Sequence, residues 1–138
     1  MRRLAVDDDD GSILLLTLGY ALLALALVFV CVDATSLYLA QKRIQSTADA
    51  AALAGADGFT LQVEGGEPVA ELTDAGVSEQ ATAIVAASGG AVVVDAETPD
   101  GVSARVTVAT TWHPVIGTIF VPDGVRIEAT ATSRTALR

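Results

Sequence analysis

The chain has 138 residues, enough for one modest domain or for a membrane anchor with a smaller domain behind it. It is 51% hydrophobic yet 18% charged and only 4% aromatic, a balance that does not suit a bundle of several membrane spans. A formal charge of −9, one Cys and one His exclude a basic nucleic-acid surface, a disulfide framework and a structural zinc site built within one chain.

Residues 1–11 form an acidic tail, in which Arg2 and Arg3 stand against Asp7, Asp8, Asp9 and Asp10 for a net −2. Four consecutive carboxylates on a flexible tail preorganise no cation site. Residues 12–32 then run for 21 positions without a charge. As a helix this run spans about 32 Å at roughly 1.5 Å per residue, against a hydrocarbon core of about 30 Å. In lipid the backbone must satisfy its own hydrogen bonds, so the run is predicted to be a transmembrane helix. A cleaved signal is the competing reading. The run exceeds an ordinary signal core, four Asp separate it from the arginines, and no small-x-small site precedes Asp33. Cys31 follows Val28-Phe29-Val30, where a lipid-attachment signal needs a small residue, so it reads as a small apolar filler. Basic residues flank the span equally, Arg2 and Arg3 before it and Lys42 and Arg43 after it. The expectation is a single-pass protein of the cell membrane with its amino terminus in the cytoplasm and its bulk outside.

Asp33 ends the apolar run but does not end the helix. No Pro or Gly occurs between Asp33 and Ala54, and Ala, Leu, Gln, Lys and Arg dominate the stretch. Residues 33–57 are therefore predicted to extend the same helix outside the membrane, to a stop between Gly55 and Gly58. At 3.6 residues per turn, Leu37, Ala40, Ile44, Ala48, Ala51 and Gly55 share one side, with Lys42, Gln45, Ser46 and Asp49 opposite. Small residues recur four apart, as in Ala48/Ala52 and Ala51/Gly55. That spacing lets two backbones approach closely, so Leu37, Ile44, Ala48, Ala51, Ala52 and Gly55 are the expected surface for a partner helix. A plain Ala-rich helix with nothing docked on it would show the same composition. Asp33 either caps the apolar run or pairs with a basic group on a partner.

Several of these features stand in register: Gly11-Ser12 before the apolar run, Val32-Asp33 at its end, then Leu37-Tyr38. Gln41-x-Arg43-Ile44-Gln45 and Ala48-Asp49-Ala50-Ala51-Ala52-Leu53-Ala54 complete the order. Together they resemble the amino-terminal module of the TadE/TadG-like proteins of tight-adherence (Flp-type) pilus assembly, over about residues 11–56. The resemblance implies a single-span envelope protein, pilin-like in architecture, that serves pilus biogenesis and is not an enzyme. It also implies other pilin-like or Tad assembly proteins as partners, met by helix–helix packing. Pilin-like members cleaved by prepilin peptidase carry Glu at the fifth position after the cleavage Gly. Counted from Gly11 that position is Leu16, a departure from the pattern that speaks against peptidase processing at Gly11 and against a major subunit, and leaves a minor or assembly component as the expectation.

Residues 58–138 are predicted to form a small α+β domain. Phe59, Leu61 and Val63 alternate with polar residues before a turn at Gly65-Gly66-Glu67-Pro68. Thr73 to Ser88 is helical in pattern, with Val77, Ala81, Ile84 and Val85 as its stripe, Thr73 or Asp74 as N-cap and Gly89-Gly90 as stop. Strands are expected over Ala91–Asp95, Val102–Thr110 and Val125–Thr132, with Thr98-Pro99-Asp100-Gly101 as a turn. These predict one antiparallel sheet of three or four strands, with the long helix leaning on it. Between the last two strands, Trp112 to Pro122 is too apolar for a free loop and is expected to pack on the sheet or the membrane face. Trp112 and Phe120 suit either a core or an interfacial anchor.

No residue set for catalysis or for a cofactor is present. His113 precedes Pro114 with no acid or thiol nearby in sequence, and a general base needs an oriented partner. Neither Gly65-Gly66 nor Gly89-Gly90 has the lysine or strand-to-helix setting of a phosphate loop. Two functions remain. One is a structural or assembly part of a surface pilus, with lipid and pilus proteins as partners and neither nucleic acid nor a small-molecule substrate. The other is a membrane-tethered module whose β-rich domain binds an envelope ligand.

Overall fold

Helix α1 runs unbroken from Asp9 to Asp57, 49 residues, or about 74 Å at roughly 1.5 Å per residue. The computed structural model describes residues 9–65 and 67–134; the tail before Asp9 and Gly66 of the expected turn lie outside them. Two unlike environments divide α1. From Gly11 to Val32 every residue is exposed, and this is the one helix among the described residues long and apolar enough to cross a membrane. From Asp33 onward one side of the same helix is covered by the rest of the chain.

After α1 the chain forms a two-stranded antiparallel hairpin, β1 (Thr60–Glu64) and β2 (Glu67–Glu71). Helix α2 (Asp74–Ser88) follows, then β3 (Val92–Glu97), β4 (Ser103–Trp112) and β5 (Val125–Arg134). The last three make a separate antiparallel sheet in the order β3-β4-β5. The α+β class holds. The expected antiparallel sheet is present as β3-β4-β5, and the residues before α2 add a separate two-stranded ribbon. Pro68 pairs with Val63 in that ribbon, and a residue without an N–H is tolerated at such an edge but not in a central strand.

Local chemistry fixes the ends of α2. The Thr73 hydroxyl accepts the Gly76 N–H at 3.2 Å, which satisfies one of the free donors of the first turn. Gly89, at φ 67°, donates its N–H to the Val85 carbonyl and turns the chain out of the helix, a left-handed conformation that favours glycine. In the β3–β4 turn the Asp100 carboxylate accepts the Val102 N–H at 3.1 Å and the Ser103 N–H at 2.6 Å. These bonds, first among them that from Val102, hold its carboxyl below the usual carboxylate range, with Arg134 3.8 Å away adding to the effect.

The core lies where α1 and α2 cover one face of the sheet. Ile44, Ala48, Ala51, Ala52 and Ala56 of α1 meet Val77, Ala81 and Val85 of α2. Beneath them lie Ala104, Val106 and Val108 of β4 and Ile127, Ala129 and Ala131 of β5. The contact is close because the α1 side chains are small. A Cβ on Gly55 would sit 3.0 Å from Val77 Cγ1 and 3.2 Å from Ala104 Cβ. β4 runs antiparallel to this part of α1, with Ala104 near Gly55 and Trp112 beside Ser36. Nineteen helical residues at roughly 1.5 Å and eight strand residues at roughly 3.4 Å both span about 28 Å. The strand therefore returns the chain from the far end of α1 to the end of its apolar run.

The face expected to receive a partner helix is thus the chain's own core. Ala48 and Ala51 are fully buried, Ala52 and Ile44 nearly so, Gly55 is buried and Leu37 is half-buried. The four-residue spacing of small side chains does permit close approach. Here it admits α2 and the sheet, and no second helix can occupy the same surface while they do. Ala51→Leu is expected to destabilise the head itself by about 1–3 kcal/mol, the usual cost of overpacking a filled core. Thermal unfolding of the purified chain in detergent checks this; an unchanged midpoint would show that the face has room.

Candidate functional site

The end of the apolar run of α1 is where distant parts of the sequence converge. Asp33 projects from α1 one residue past the apolar run, and its carboxylate accepts two backbone N–H groups. Ile116 donates to Oδ1 and Gly117 to Oδ2, each at 3.1 Å. One turn further along α1, Ser36 Oγ accepts the Trp112 indole N–H at 3.1 Å. Positions three apart share a helix face, so Asp33 and Ser36 together hold the chain from Trp112 to Gly117.

Two glycines allow this geometry. A Cβ at Gly117 would lie 3.1 Å from Asp33 Oδ2 and 3.3 Å from Pro114 Cβ, so a larger residue would press on the carboxylate. Gly124 has φ 71°, and a Cβ there would lie 2.6 Å from the Trp112 carbonyl oxygen; only glycine closes the loop against the end of β4. Between them a short 3₁₀ turn, Gly117–Ile119, leaves Ile119 and Phe120 each 87% exposed. The Trp112 ring borders an apolar groove of about 710 Å³ that runs down α1 past Ser36, Val32, Cys31, Val28 and Leu27.

Asp33 thus does more than stop an apolar run. It is a charged acceptor for two otherwise free N–H groups, and such bonds are stronger than neutral ones. The sequence singled out the acid but not its partners, which lie 83 and 84 residues away. Ser36, Ile116 and Gly117 were not anticipated; the apolar character of Trp112 to Pro122 was the signal that this loop packs on something. Cys31 is an exposed free thiol on the apolar half of α1, and His113 is exposed at the start of the loop. Among the described residues no group of three or more His, Cys, Asp or Glu is placed to hold a metal ion.

Residues 11–58 match the family described as putative Flp pilus-assembly TadE/G-like. The matched segment is α1 from its third residue to the residue after its end, so the resemblance read from the sequence and the longest element of the fold coincide. In class, the amino-terminal module is similar to that of TadE/G-like pilus-assembly proteins, and it carries the one helix among the described residues that is long and apolar enough to cross a membrane. No curated protein and no solved structure matches the chain.

Asp33→Ala removes both acceptors of the loop at once. Hydrogen bonds to charged groups are worth about 1.5–3 kcal/mol, and this one is partly solvated, so the low end applies. Amide exchange at Ile116 and Gly117 should rise about tenfold, the equivalent of 1.4 kcal/mol, with α1 amides above Ile44 unaltered. Equal protection in the variant would show that the loop is held by other contacts.

Proposed function

We propose that the chain is a non-enzymatic, single-span component of a Flp/Tad-type pilus-assembly apparatus, acting as a minor pilin-like or assembly protein. The observation that carries this reading is the coincidence of the family match over residues 11–58 with a continuous helix that is bare at one end and capped by a small head at the other. A rod of this kind supports docking by helix–helix contact, with its apolar half in lipid and its head holding it upright. The amino terminus is assigned to the cytoplasm and the head to the outside.

Because the small-residue face is filled by the chain's own core, the surface offered to partners is the rest of α1. In lipid that is the exposed run from Ile13 to Val32. Outside, it is the side bearing Tyr38, Leu39, Lys42 and Leu53, where the Lys42 ammonium lies 5.6 Å above the Tyr38 ring. Outside the membrane, helix docking on other pilus proteins is therefore proposed for this outer side and not for the Ala48–Gly55 side.

Site-specific photo-crosslinking in the producing cell tests the reading. Probes at Leu39 and Leu53 are expected to capture other pilus-assembly proteins, while a probe at Arg105 on the outer face of the sheet captures none. Protease added to intact cells should remove the head. Capture from Arg105 alone would instead favour a tethered module that binds an envelope ligand through its sheet, and a head resistant in intact cells yet cut in opened ones would reverse the orientation.

A further inference from the structure

We propose that the β4–β5 loop is a second membrane contact, inserting Ile119 and Phe120 into the lipid interface beside α1. The inference rests on α1 crossing the membrane, and it adds a lipid-facing surface to the head itself.

The argument is one of height and composition. The loop is fastened to Asp33 through the N–H groups of Ile116 and Gly117, and Asp33 is the first charge after 21 uncharged residues. With α1 crossing the membrane, this places Gly117 near the edge of the hydrocarbon. Ile119 and Phe120 follow by two and three residues in a 3₁₀ turn, which rises about 2 Å per residue. Their backbone therefore lies within about 6 Å of that edge, comparable to the 5–7 Å thickness of each interfacial layer.

Composition agrees with position. Residues 114–122 carry no charge in a chain that is otherwise acidic beyond Asp33. Val115, Ile119 and Phe120 are turned outward, at 64%, 87% and 87% exposure. In a head whose core is built mostly from Ala and Val, leaving a Phe and an Ile bare in water costs burial that the fold could otherwise use. At the membrane surface the same side chains meet headgroups and the upper acyl chains, the zone that aromatic residues favour. The apolar groove under Trp112 continues the contact down the helix, since Val32, Cys31 and Leu27 line it. The occupant this predicts is lipid, continuous with the lipid around α1. The Asp33 latch then sets the depth of the loop, and the two contacts together fix the inclination of the head.

The test uses the full chain with Cys31→Ser, reconstituted in phosphatidylcholine–phosphatidylglycerol vesicles and spin-labelled at a single introduced cysteine. Labels are placed through Phe120→Cys or Ile119→Cys in the loop, Phe29→Cys in the span and Arg105→Cys on the outer sheet. Collision with oxygen, which concentrates in lipid, is compared with collision with a water-soluble nickel chelate. At 119 and 120 the oxygen-to-nickel ratio is expected to exceed that at 105 several-fold and to stay below that at 29. Adding Asp33→Ala should lower the loop ratio toward the value at 105. A loop ratio equal to that at 105, with 29 lipid-exposed, would overturn the proposal while leaving the anchor intact. A nickel-accessible label at 29 would remove the anchor and the proposal together. A loop label shielded from both reagents, and broadened by neighbouring labels until diluted with unlabelled chain, would identify a second copy as the occupant and also overturn it.

Discussion

The head can exist on α1 only because the helix presents backbone where most helices present side chains. Along Ala48, Ala51, Ala52, Gly55 and Ala56 nothing larger than a methyl group stands between α1 and its neighbours. Val77 and Ala104 come close enough that a Cβ on Gly55 would press on both. With so little side-chain volume on the helix, the apolar bulk of the core must come from Val and Ile on α2 and the sheet. A domain of fewer than a hundred residues is marginal alone, and here the anchor helix supplies one wall of its core. Anchor and head are thus one folding unit.

From this close contact the remaining geometry follows. Because β4 lies antiparallel along α1 and spans the same distance, its end returns to the end of the apolar run and brings Trp112 to Ser36. The loop beyond it then meets Asp33, whose two oxygens are taken by Ile116 and Gly117. Backbone N–H groups bond this carboxylate without burying a second charge, and in doing so they fix an apolar loop beside the end of the apolar run. The unbroken helix, the returning strand and the latched loop form a closed path from the end of the apolar run to the head and back.

Much of this was legible in the sequence, for reasons that can be named. The 21-residue uncharged run, the lack of Pro or Gly after Asp33, the Thr73 cap, the Gly89 stop and the alternation in β4 and β5 are local signals, and each element appears within a few residues of its expected place. What was not legible is what those elements touch. Small residues four apart specify close approach but not the identity of the approaching surface, so a partner helix and the chain's own sheet look alike in sequence. Pro68 obscured β2, since strand periodicity does not announce a two-stranded ribbon. The partners of Asp33 are backbone groups, which leave no trace in residue identity, and they lie more than eighty residues away.

The central claim is that α1 is a single stiff rod from its apolar run to the far end of the head. Pulsed electron–electron distance measurement tests it most directly, with spin labels introduced through Leu22→Cys and Leu53→Cys in a Cys31→Ser background. Both side chains are exposed, at 59% and 58%, so the labels disturb little. Thirty-one residues of continuous helix predict one narrow distance near 46 Å at roughly 1.5 Å per residue. A distribution centred well below that value, or broadened over tens of ångströms, would place a bend or hinge near Asp33 and contradict the account.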